Sequence, residues 1–198
     1  MSIGSLGLNY LGLLLGILSI IATVYFAIRY AERKDPCLQV ITDQKIWVDK
    51  EALRNIQIKY GDTLVNRVSM TTVWFWNHGK KPIRRDDVPL KQPLIIELDD
   101  SNSPVTILDV SVQKVSREAI DFSATKFSDS EVRIEFMFLD RGDGARVEVQ
   151  HTGSRLTQAR IRGVILGAPR GVRLVESSPV RLLLLDRGRL PVVTALRR

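Results

Sequence analysis

The sequence predicts an all-β domain that follows one N-terminal transmembrane α-helix. The helix is predicted by residues 11–28, eighteen residues without a charged side chain. At about 1.5 Å per residue this run reaches about 27 Å, close to the hydrocarbon thickness of a bilayer, about 30 Å. The domain is predicted by short apolar runs that turn residues separate. That pattern is typical of an antiparallel β-sandwich, either immunoglobulin-like or closed into a small barrel.

The pattern divides the chain into three segments. Residues 1–34 are the predicted anchor with its basic juxtamembrane end, residues 35–188 the β-sandwich domain, and residues 189–198 a basic C-terminal tail. About 150 residues are enough for one domain with a sizeable core and too few for two. We therefore expect one domain on a single-pass anchor.

Charge placement predicts the orientation of the anchor. Residues 1–10 carry no charged side chain, whereas Arg29, Arg33 and Lys34 follow the apolar run. Basic residues beside a span stay on the cytoplasmic side, so the N-terminus is predicted outside and the C-terminal domain in the cytoplasm. The alternative, a cleavable secretory signal, requires a basic segment before the apolar run and a small-x-small site after it, and the sequence has neither. The single cysteine, Cys37, fits a reducing compartment.

Small residues recur along one face of the predicted helix. Gly12 and Gly16 form a Gly-x-x-x-Gly pair, and Ser19 and Thr23 continue it at spacings of three and four. Such a face lets two helices approach closely in lipid. These four residues are the predicted helix-helix association site of a homo-oligomer. The alternative is chance, because pairs of small residues are common in apolar segments.

The clearest strand is predicted at residues 68–77. Period-two alternation places apolar residues on one face, and Val73 and Phe75 add apolar side chains to the other, so burial on both faces is expected. Other strands are predicted at residues 38–41, 56–60, 94–98, 105–115, 132–139, 145–150, 159–165 and 181–185. Residues 49–53 hold the clearest helical turn in the domain. Without longer predicted helices, parallel βαβ connections are disfavoured.

Turn motifs carry a resemblance to known proteins. Residues 76–88 contain an Asn-x-Gly turn, a Pro-Ile pair and two aspartates, and residues 139–143, 151–153 and 162–163 follow with Gly-Asp, His-Thr-Gly and Arg-Gly. Over about half the chain this pattern resembles a loosely defined set of uncharacterised bacterial single-pass membrane proteins. The resemblance implies a cytoplasmic β-domain anchored in the bacterial inner membrane, and it implies no catalytic chemistry.

Common enzyme signatures are absent from the sequence. It contains no Gly-x-Ser-x-Gly, Gly-x-x-x-x-Gly-Lys or Gly-x-Gly-x-x-Gly motif. The two histidines, His78 and His151, lie within two residues of a glycine and are expected in surface turns. Cys37 has no neighbouring histidine to activate its thiol. The aspartate pairs at 86–87 and 99–100 are expected to cap turns. We therefore predict no catalytic residue, no metal and no cofactor.

Residues 151–198 are strongly basic, with ten arginines and only two acidic residues. Arginine suits phosphate and carboxylate groups, so the predicted targets are anionic lipid headgroups, a phosphorylated small ligand or a protein partner. Nucleic acid is disfavoured because this segment has no Phe, Tyr or Trp for base stacking. The predicted anion or lipid contacts are Arg29, Arg33, Lys34, Arg160, Arg162, Arg197 and Arg198. The alternative is a solvated face on which Arg160 and Arg162 point the same way.

These observations predict a membrane-anchored, non-enzymatic β-domain that acts as a binding or assembly module at the cytoplasmic face. Its predicted partners are the lipid bilayer, a second copy of the chain, and a protein or phosphorylated small ligand. The alternative function is a small membrane effector or toxin of the bacterial defence type. In that function the β-domain senses the ligand, and the helices oligomerise and perturb the membrane.

Overall fold

The computed structural model describes residues 3–30, 32–47, 58–61, 63–65, 67–101 and 103–175. The chain forms two compact units, Met1–Glu32 and Arg33–Arg198. The first unit contains a helix and the second contains β-sheets, which confirms an all-β class with one N-terminal helix. The predicted strand at 181–185, the helical turn at 49–53 and the tail at 189–198 lie outside the described residues.

Helix α1 spans Ile3–Tyr30. Its described side chains, those of residues 12–27, are almost all exposed within the chain. The hydroxyls of Ser19 and Thr23 donate to the carbonyl oxygens of Gly16 and Ser19, each at 2.8 Å. Among the described residues, no helix meets the length and hydropathy expected of a membrane span. The N-terminal helix is thus confirmed, and its passage through a membrane stays a prediction.

The described part of the second unit consists of short strands and two 3-10 helices, Arg85–Asp87 and Glu118–Ile120. The strands are β1 (Pro36–Trp47), β2 (Ile58–Tyr60), β3 (Thr63–Val65), β4 (Arg67–Asn77), β5 (Ile83–Arg84), β6 (Leu94–Asp99), β7 (Ile107–Val115), β8 (Ser123–Lys126), β9 (Glu131–Glu135), β10 (Phe138–Leu139), β11 (Gly144–His151), β12 (Gln158–Arg162) and β13 (Arg173–Leu174). Every described pair of neighbouring strands is antiparallel except β1 with β13.

Two larger sheets build the domain, with strand orders β13-β1-β4-β11-β7 and β12-β6-β9-β8. Period-two alternation turns one face of each sheet inward, and these inner faces share one hydrophobic core. The strands β5 and β10 form a separate short pair, as do β2 and β3. Two sheets over a common core are consistent with the predicted sandwich.

Three phenylalanines close the core near one end of the sheets. Phe122 and Phe136 stack with ring centroids 6.2 Å apart, and Phe75 lies 6.0 Å from Phe136. Phe75 belongs to β4, whereas the other two lie in connecting segments. Burying each such side chain contributes about 1.5–3 kcal/mol. The connections at this end are therefore held by the core as well as by the strands.

Strand β4 is buried on both faces, as predicted. Phe75 faces the shared core, whereas Trp74 and Trp76 pack with Cys37 on the opposite face. The guanidinium of Arg146 lies 5.4 Å from the ring centroid of Trp74 and covers it. A strand with apolar residues on both of its faces thus occupies the centre of its sheet, between β1 and β11.

The predicted strand at 38–41 is longer in the structure, as β1, and two other predicted strands are split or shortened. The predicted strand at 132–139 is split into β9 and β10 because the chain bends at Met137. Its N–H donates to the Ile120 carbonyl at 2.8 Å, and its carbonyl accepts from the Arg85 N–H at 2.9 Å. The predicted strand at 159–165 ends early because Gly163 has φ 120°, and a Cβ there would collide with the Pro93 carbonyl.

Candidate functional surface

Five segments meet at the end of the domain where the chain enters β1, and we call this the Asn77 end. It comprises residues 33–36, 77–93, 116–122, 136–144 and 163–173. Backbone hydrogen bonds connect these segments, among them Asn77 N–H to the Asp143 carbonyl at 2.9 Å and Leu166 N–H to the Asp87 carbonyl at 2.7 Å. The opposite end, the His151 end, comprises residues 67–69, 99–101, 103–107, 127–130 and 151–157.

The side chain of Asn77 joins the turns at its end of the domain. It is fully buried, and its Nδ2 donates to the carbonyl oxygens of Lys81 at 2.9 Å and Leu139 at 3.0 Å. Its Oδ1 accepts from the N–H groups of Gly79 at 2.9 Å and Asp35 at 3.4 Å. One amide therefore satisfies four backbone groups in buried or partly buried positions, which is why the Asn-x-Gly turn of the sequence is a structural element.

Asp143 organises a neighbouring turn. Its carboxylate accepts from Ser116 Oγ at 3.0 Å, Arg117 Nε at 3.1 Å and the Asp140 N–H at 3.0 Å. Arg117 also pairs with Asp140 at 2.8 Å and lies 5.3 Å from the ring centroid of Phe138. Both acids of this turn, Asp140 and Asp143, are therefore paired with Arg117.

Lys34 is held inside the domain by an ion pair. Its Nζ lies 2.5 Å from Asp87 Oδ1 and donates to the Leu166 carbonyl at 2.7 Å, and its side chain is only 7% exposed. Burial alone would raise the pKa of Asp87, but the Arg84 N–H and the Lys34 ammonium hold that pKa below its usual value. The ammonium predicted to contact lipid is thus already occupied by groups of the protein.

A third cluster joins Asp35, Cys37 and Arg173. Arg173 Nη2 donates to Asp35 Oδ2 at 2.8 Å and to Cys37 Sγ at 3.0 Å. Burial, with a further contribution from the Asp35 charge, raises the pKa of Cys37 to about 12. The thiol is therefore protonated at neutral pH and is a poor nucleophile.

The remaining basic side chains of the Asn77 end face solvent. We call six of them the basic rim: Arg33, Lys81, Arg84, Arg85, Arg141 and Arg170. Exposed apolar side chains lie at the same end: Leu90 is 85% and Leu166 is 52% exposed in loops that carry rim residues, and Met137, between β9 and β10, is 50% exposed. Two adjoining cavities of about 300 and 350 Å³ are lined by Leu90 and Met137, respectively, and share Arg85 and Asp86 in their walls. This end of the domain is both cationic and partly apolar.

His151 is buried, which corrects the prediction of a surface turn. It is the last residue of β11 and continues the inward row of Val147 and Val149. The Gly153 N–H donates to its Nδ1 at 3.0 Å, so Nε2 carries the proton and donates to Thr71 Oγ1 at 2.8 Å. The period-two alternation along the strand indicates that His151 is buried. The glycine two residues later led instead to the prediction of a surface turn.

The protonation state of His151 follows from its surroundings. Burial first, and then the charge of Arg67, lower its pKa to about 4. The Thr71 hydroxyl passes the hydrogen-bond chain to Thr42 Oγ1 at 2.8 Å, which donates to the Thr157 carbonyl at 3.3 Å. A neutral histidine whose only acceptor nitrogen is occupied cannot take a proton from Thr71.

The two members of each aspartate pair, 86–87 and 99–100, do not lie together in one site. Asp87 is bound to Lys34 while Asp86 is exposed, and Asp100 is buried against the Ser154 N–H at 2.6 Å. Asp99, the partner of Asp100, faces solvent. Throughout the described ranges, no three His, Cys, Asp or Glu side chains are grouped as a metal site would require.

The arginines of β12 point the same way, on the outer face of the four-stranded sheet. Arg162 Nη2 lies 2.5 Å from Glu131 Oε1, and this bond lowers the pKa of Glu131. Arg160 donates to Gln158 Oε1 at 3.1 Å and stands opposite Glu97. This face is of mixed charge, which agrees with the solvated-face alternative. The side chain of Arg29 lies outside the described residues, as do Arg197 and Arg198.

The predicted association residues of the helix lie on one side of α1. At about 100° per residue, Gly12, Gly16, Ser19 and Thr23 fall within one narrow stripe. All four are exposed, and a Cβ added at either glycine would meet no atom within 4 Å. The stripe is therefore open to a second helix, and helix association stays a prediction.

Sequence reasoning missed most of the basic rim. Of its six members only Arg33 was predicted as an anion contact, because the others are dispersed over three loops of the sequence. The signal that could have found them is the Asn-x-Gly turn, since buried turn residues gather distant loops. No protein-family model matches the chain, and no curated protein matches it.

Proposed function

We propose that the chain is a membrane-anchored, non-enzymatic binding or assembly module at the cytoplasmic face of the bacterial inner membrane. The observation that carries this proposal is the apolar surface of α1. Ten large hydrophobic side chains between Leu13 and Phe26 are 48–64% exposed within the chain. Leaving such side chains in water costs about 1.5–3 kcal/mol for each one that burial could cover, so a bilayer is the favoured environment.

The charge pattern supports the orientation in this proposal. The segment before the apolar run has no charged side chain, and Arg29 and Arg33 follow it. The positive-inside rule then favours a cytoplasmic domain. The two sheets over one core support a sandwich of immunoglobulin-like type as the presenting scaffold.

The proposal that the module is non-enzymatic rests on the hydrogen bonds, ion pairs and protonation states of four reactive groups. His151 accepts a backbone N–H, Cys37 is a protonated and buried thiol, and Asp87 and Asp143 are paired with basic side chains. Each of these four groups has a structural partner or is protonated. A fold whose reactive groups are bound in this way is suited to presenting loops.

Carbonate extraction of membranes from expressing bacteria tests the anchor. We expect the full chain to remain in the membrane pellet at alkaline pH, and the double variant Leu14→Arg, Leu18→Arg to become extractable because two charges oppose insertion. The matched control, Leu14→Ile with Leu18→Ile, should stay in the pellet. Extraction of the unsubstituted chain would contradict the anchor.

The second candidate function is a membrane effector whose helices associate. The open stripe of Gly12, Gly16, Ser19 and Thr23 favours it, because small residues permit close helix contact. Expression should then arrest growth and depolarise the membrane, and Gly12→Ile with Gly16→Ile should abolish both effects. Leu14→Ile with Leu18→Ile, on the opposite face of the helix, is the control. Toxicity that survives the glycine substitutions would contradict helix association.

A further inference from the structure

We propose that the basic rim docks the β-domain onto an anionic lipid surface. This inference rests on the proposed function and deepens it, because it names the surface that would contact the leaflet. The rim residues are exposed, basic and gathered at the end of the domain where the chain from α1 enters. The proposal thus places the lipid contact on a different part of the domain from Arg160 and Arg162, for which the sequence predicted it.

Hydrogen bonds assemble the rim around the incoming chain. The Lys81 N–H donates to the Arg33 carbonyl at 3.3 Å, which places these two rim residues side by side. The Gly142 N–H donates to the Asn77 carbonyl at 2.7 Å, and Asn77 Nδ2 donates to the Lys81 carbonyl at 2.9 Å. Arg141 is therefore in the turn next to Lys81.

The other rim residues are fixed by adjoining loops. Arg84 pairs with Phe138 in the β5–β10 ladder, and the Arg85 N–H donates to the Met137 carbonyl at 2.9 Å. Arg170 lies in the loop that begins at Leu166, whose carbonyl accepts from Lys34. The six side chains come from four segments of sequence, yet one hydrogen-bonded set of loops carries them.

Internal pairing of the acids leaves these cations available. Asp35 is bound to Arg173, Asp87 to Lys34, and Asp140 and Asp143 to Arg117. The exposed acids of this end are Asp86, Glu118, Asp121 and Asp140, and Asp140 is paired with Arg117. The His151 end differs, because its described ranges hold only two Lys or Arg residues, Arg67, which is bound to Thr152 and Ser103, and the exposed Arg155. Its Asp129 pairs with Lys126 of the adjoining strand β8 at 3.3 Å.

Exposed apolar side chains favour a membrane over a free anion. Met137 and Leu166 are half exposed. Leu166 lies in the same loop as Arg170, and Met137 lies in the bend between β9 and β10, where its carbonyl accepts from the Arg85 N–H. Cations mixed with apolar side chains are typical of surfaces that lie at the boundary of headgroups and acyl chains. Inorganic phosphate or a nucleotide would leave the apolar groups in water.

The short connection between α1 and β1 limits how far the domain can lie from the anchor. Residues 31–35 join α1 to β1, and five residues extend at most about 18 Å. An anchor in the bilayer therefore keeps the domain at a high effective concentration near the leaflet, so weak contacts are enough to hold it there.

The experiment uses the full chain in vesicles of phosphatidylcholine, alone or with about one third phosphatidylglycerol. Cys37 is the only cysteine and is buried, so a dye can be attached at Met137→Cys alone. The same dye at Leu156→Cys, on the His151 end, is the matched control. A nitroxide on the lipid headgroup quenches the dye when it reaches the bilayer surface.

We expect quenching at position 137 to be several-fold stronger with phosphatidylglycerol, and quenching at position 156 to be the same in both vesicles. Raising salt from about 0.1 to about 1 M shortens the Debye length from about 10 to about 3 Å and should remove the difference. Replacing Arg84, Arg85, Arg141 and Arg170 by Gln should also remove it. The same replacement of Lys59, Lys114, Arg155 and Arg160 should leave it unchanged.

Equal quenching of the dye at position 137 in the two vesicle types would overturn the proposal. An equal loss of the phosphatidylglycerol-dependent difference in the two charge variants would also overturn it. Flotation with pure phosphatidylcholine vesicles tests membrane anchoring by α1 independently of the basic rim. A chain that does not float contradicts the anchor. A chain that floats without lipid-dependent quenching contradicts the rim alone.

Discussion

At the scale of single residues, two buried polar side chains decide how the two ends of the domain are built. Asn77 satisfies four backbone groups at one end, and His151 starts a directed chain of hydrogen bonds at the other. Buried polar groups stabilise only while every partner is present, so each of these residues is a sensitive point.

We predict that Asn77→Ala lowers the free energy of unfolding by about 3 kcal/mol, because the Lys81 and Leu139 carbonyls and the Gly79 N–H lose their partner in a buried site. Urea denaturation measures the change. His78→Ala, at the next position but partly exposed, should cost less than about 0.5 kcal/mol. Equal losses in the two variants would contradict the assigned role of Asn77.

His151 predicts a pH dependence. Its pKa is lowered from 6.5 to about 4 on folding, so the unfolded chain binds more protons between these values. The free energy of unfolding therefore falls as pH is lowered from 6.5 to about 4, by at most about 1.4 kcal/mol per pH unit and about 3 kcal/mol in total. Urea denaturation across this range should show the slope. His151→Asn should flatten it, and a slope that disappears in His78→Asn instead would refute the assignment.

At the scale of elements, the ends of two strands are set by contacts with loops and 3-10 helices. β12 ends where Gly163 approaches the Pro93 carbonyl, and β9 separates from β10 where Met137 bonds to Ile120 and Arg85. Neither boundary follows from the apolar pattern of the strand itself. Each is imposed by a neighbour that is distant in sequence.

Gly163→Ala tests the first boundary. We predict a loss of about 3 kcal/mol in unfolding free energy, since the added Cβ meets the Pro93 carbonyl and the backbone has φ 120°. Gly142→Ala is the matched control, with φ 85° and open space around it, and it should cost about 1 kcal/mol. Thermal or urea unfolding measures both. If both variants lose the same amount, the close approach at Gly163 does not limit β12.

At the scale of the whole molecule, one core joins the two sheets. Phe75 on β4 contacts Phe122 and Phe136, which lie in the connections beside the four-stranded sheet. A shared core makes the stability of the two sheets mutually dependent, so the domain should unfold in one transition. The basic rim depends on the same core, because the loops that carry it are held by these connections.

Phe75→Ala tests this dependence. We predict a loss of about 3–5 kcal/mol with faster hydrogen exchange in both β9 and β11, because the cavity weakens both sheets. Phe127→Ala, whose side chain is 54% exposed, should change neither. Faster exchange confined to one sheet would show that the sheets do not share their stability.

The sequence alone determined the local features of this protein: an N-terminal helix with a long uncharged run, an all-β domain, and a central strand buried on both faces. These follow from periodicity and from turn chemistry, which depend on neighbouring residues. Only the tertiary structure decided that His151 is buried, that Lys34 is occupied by Asp87, and that exposed basic side chains from four segments gather in the basic rim. The reason is physical: burial and ion pairing depend on segments that are distant in sequence, and a local pattern carries no information about which of them will meet.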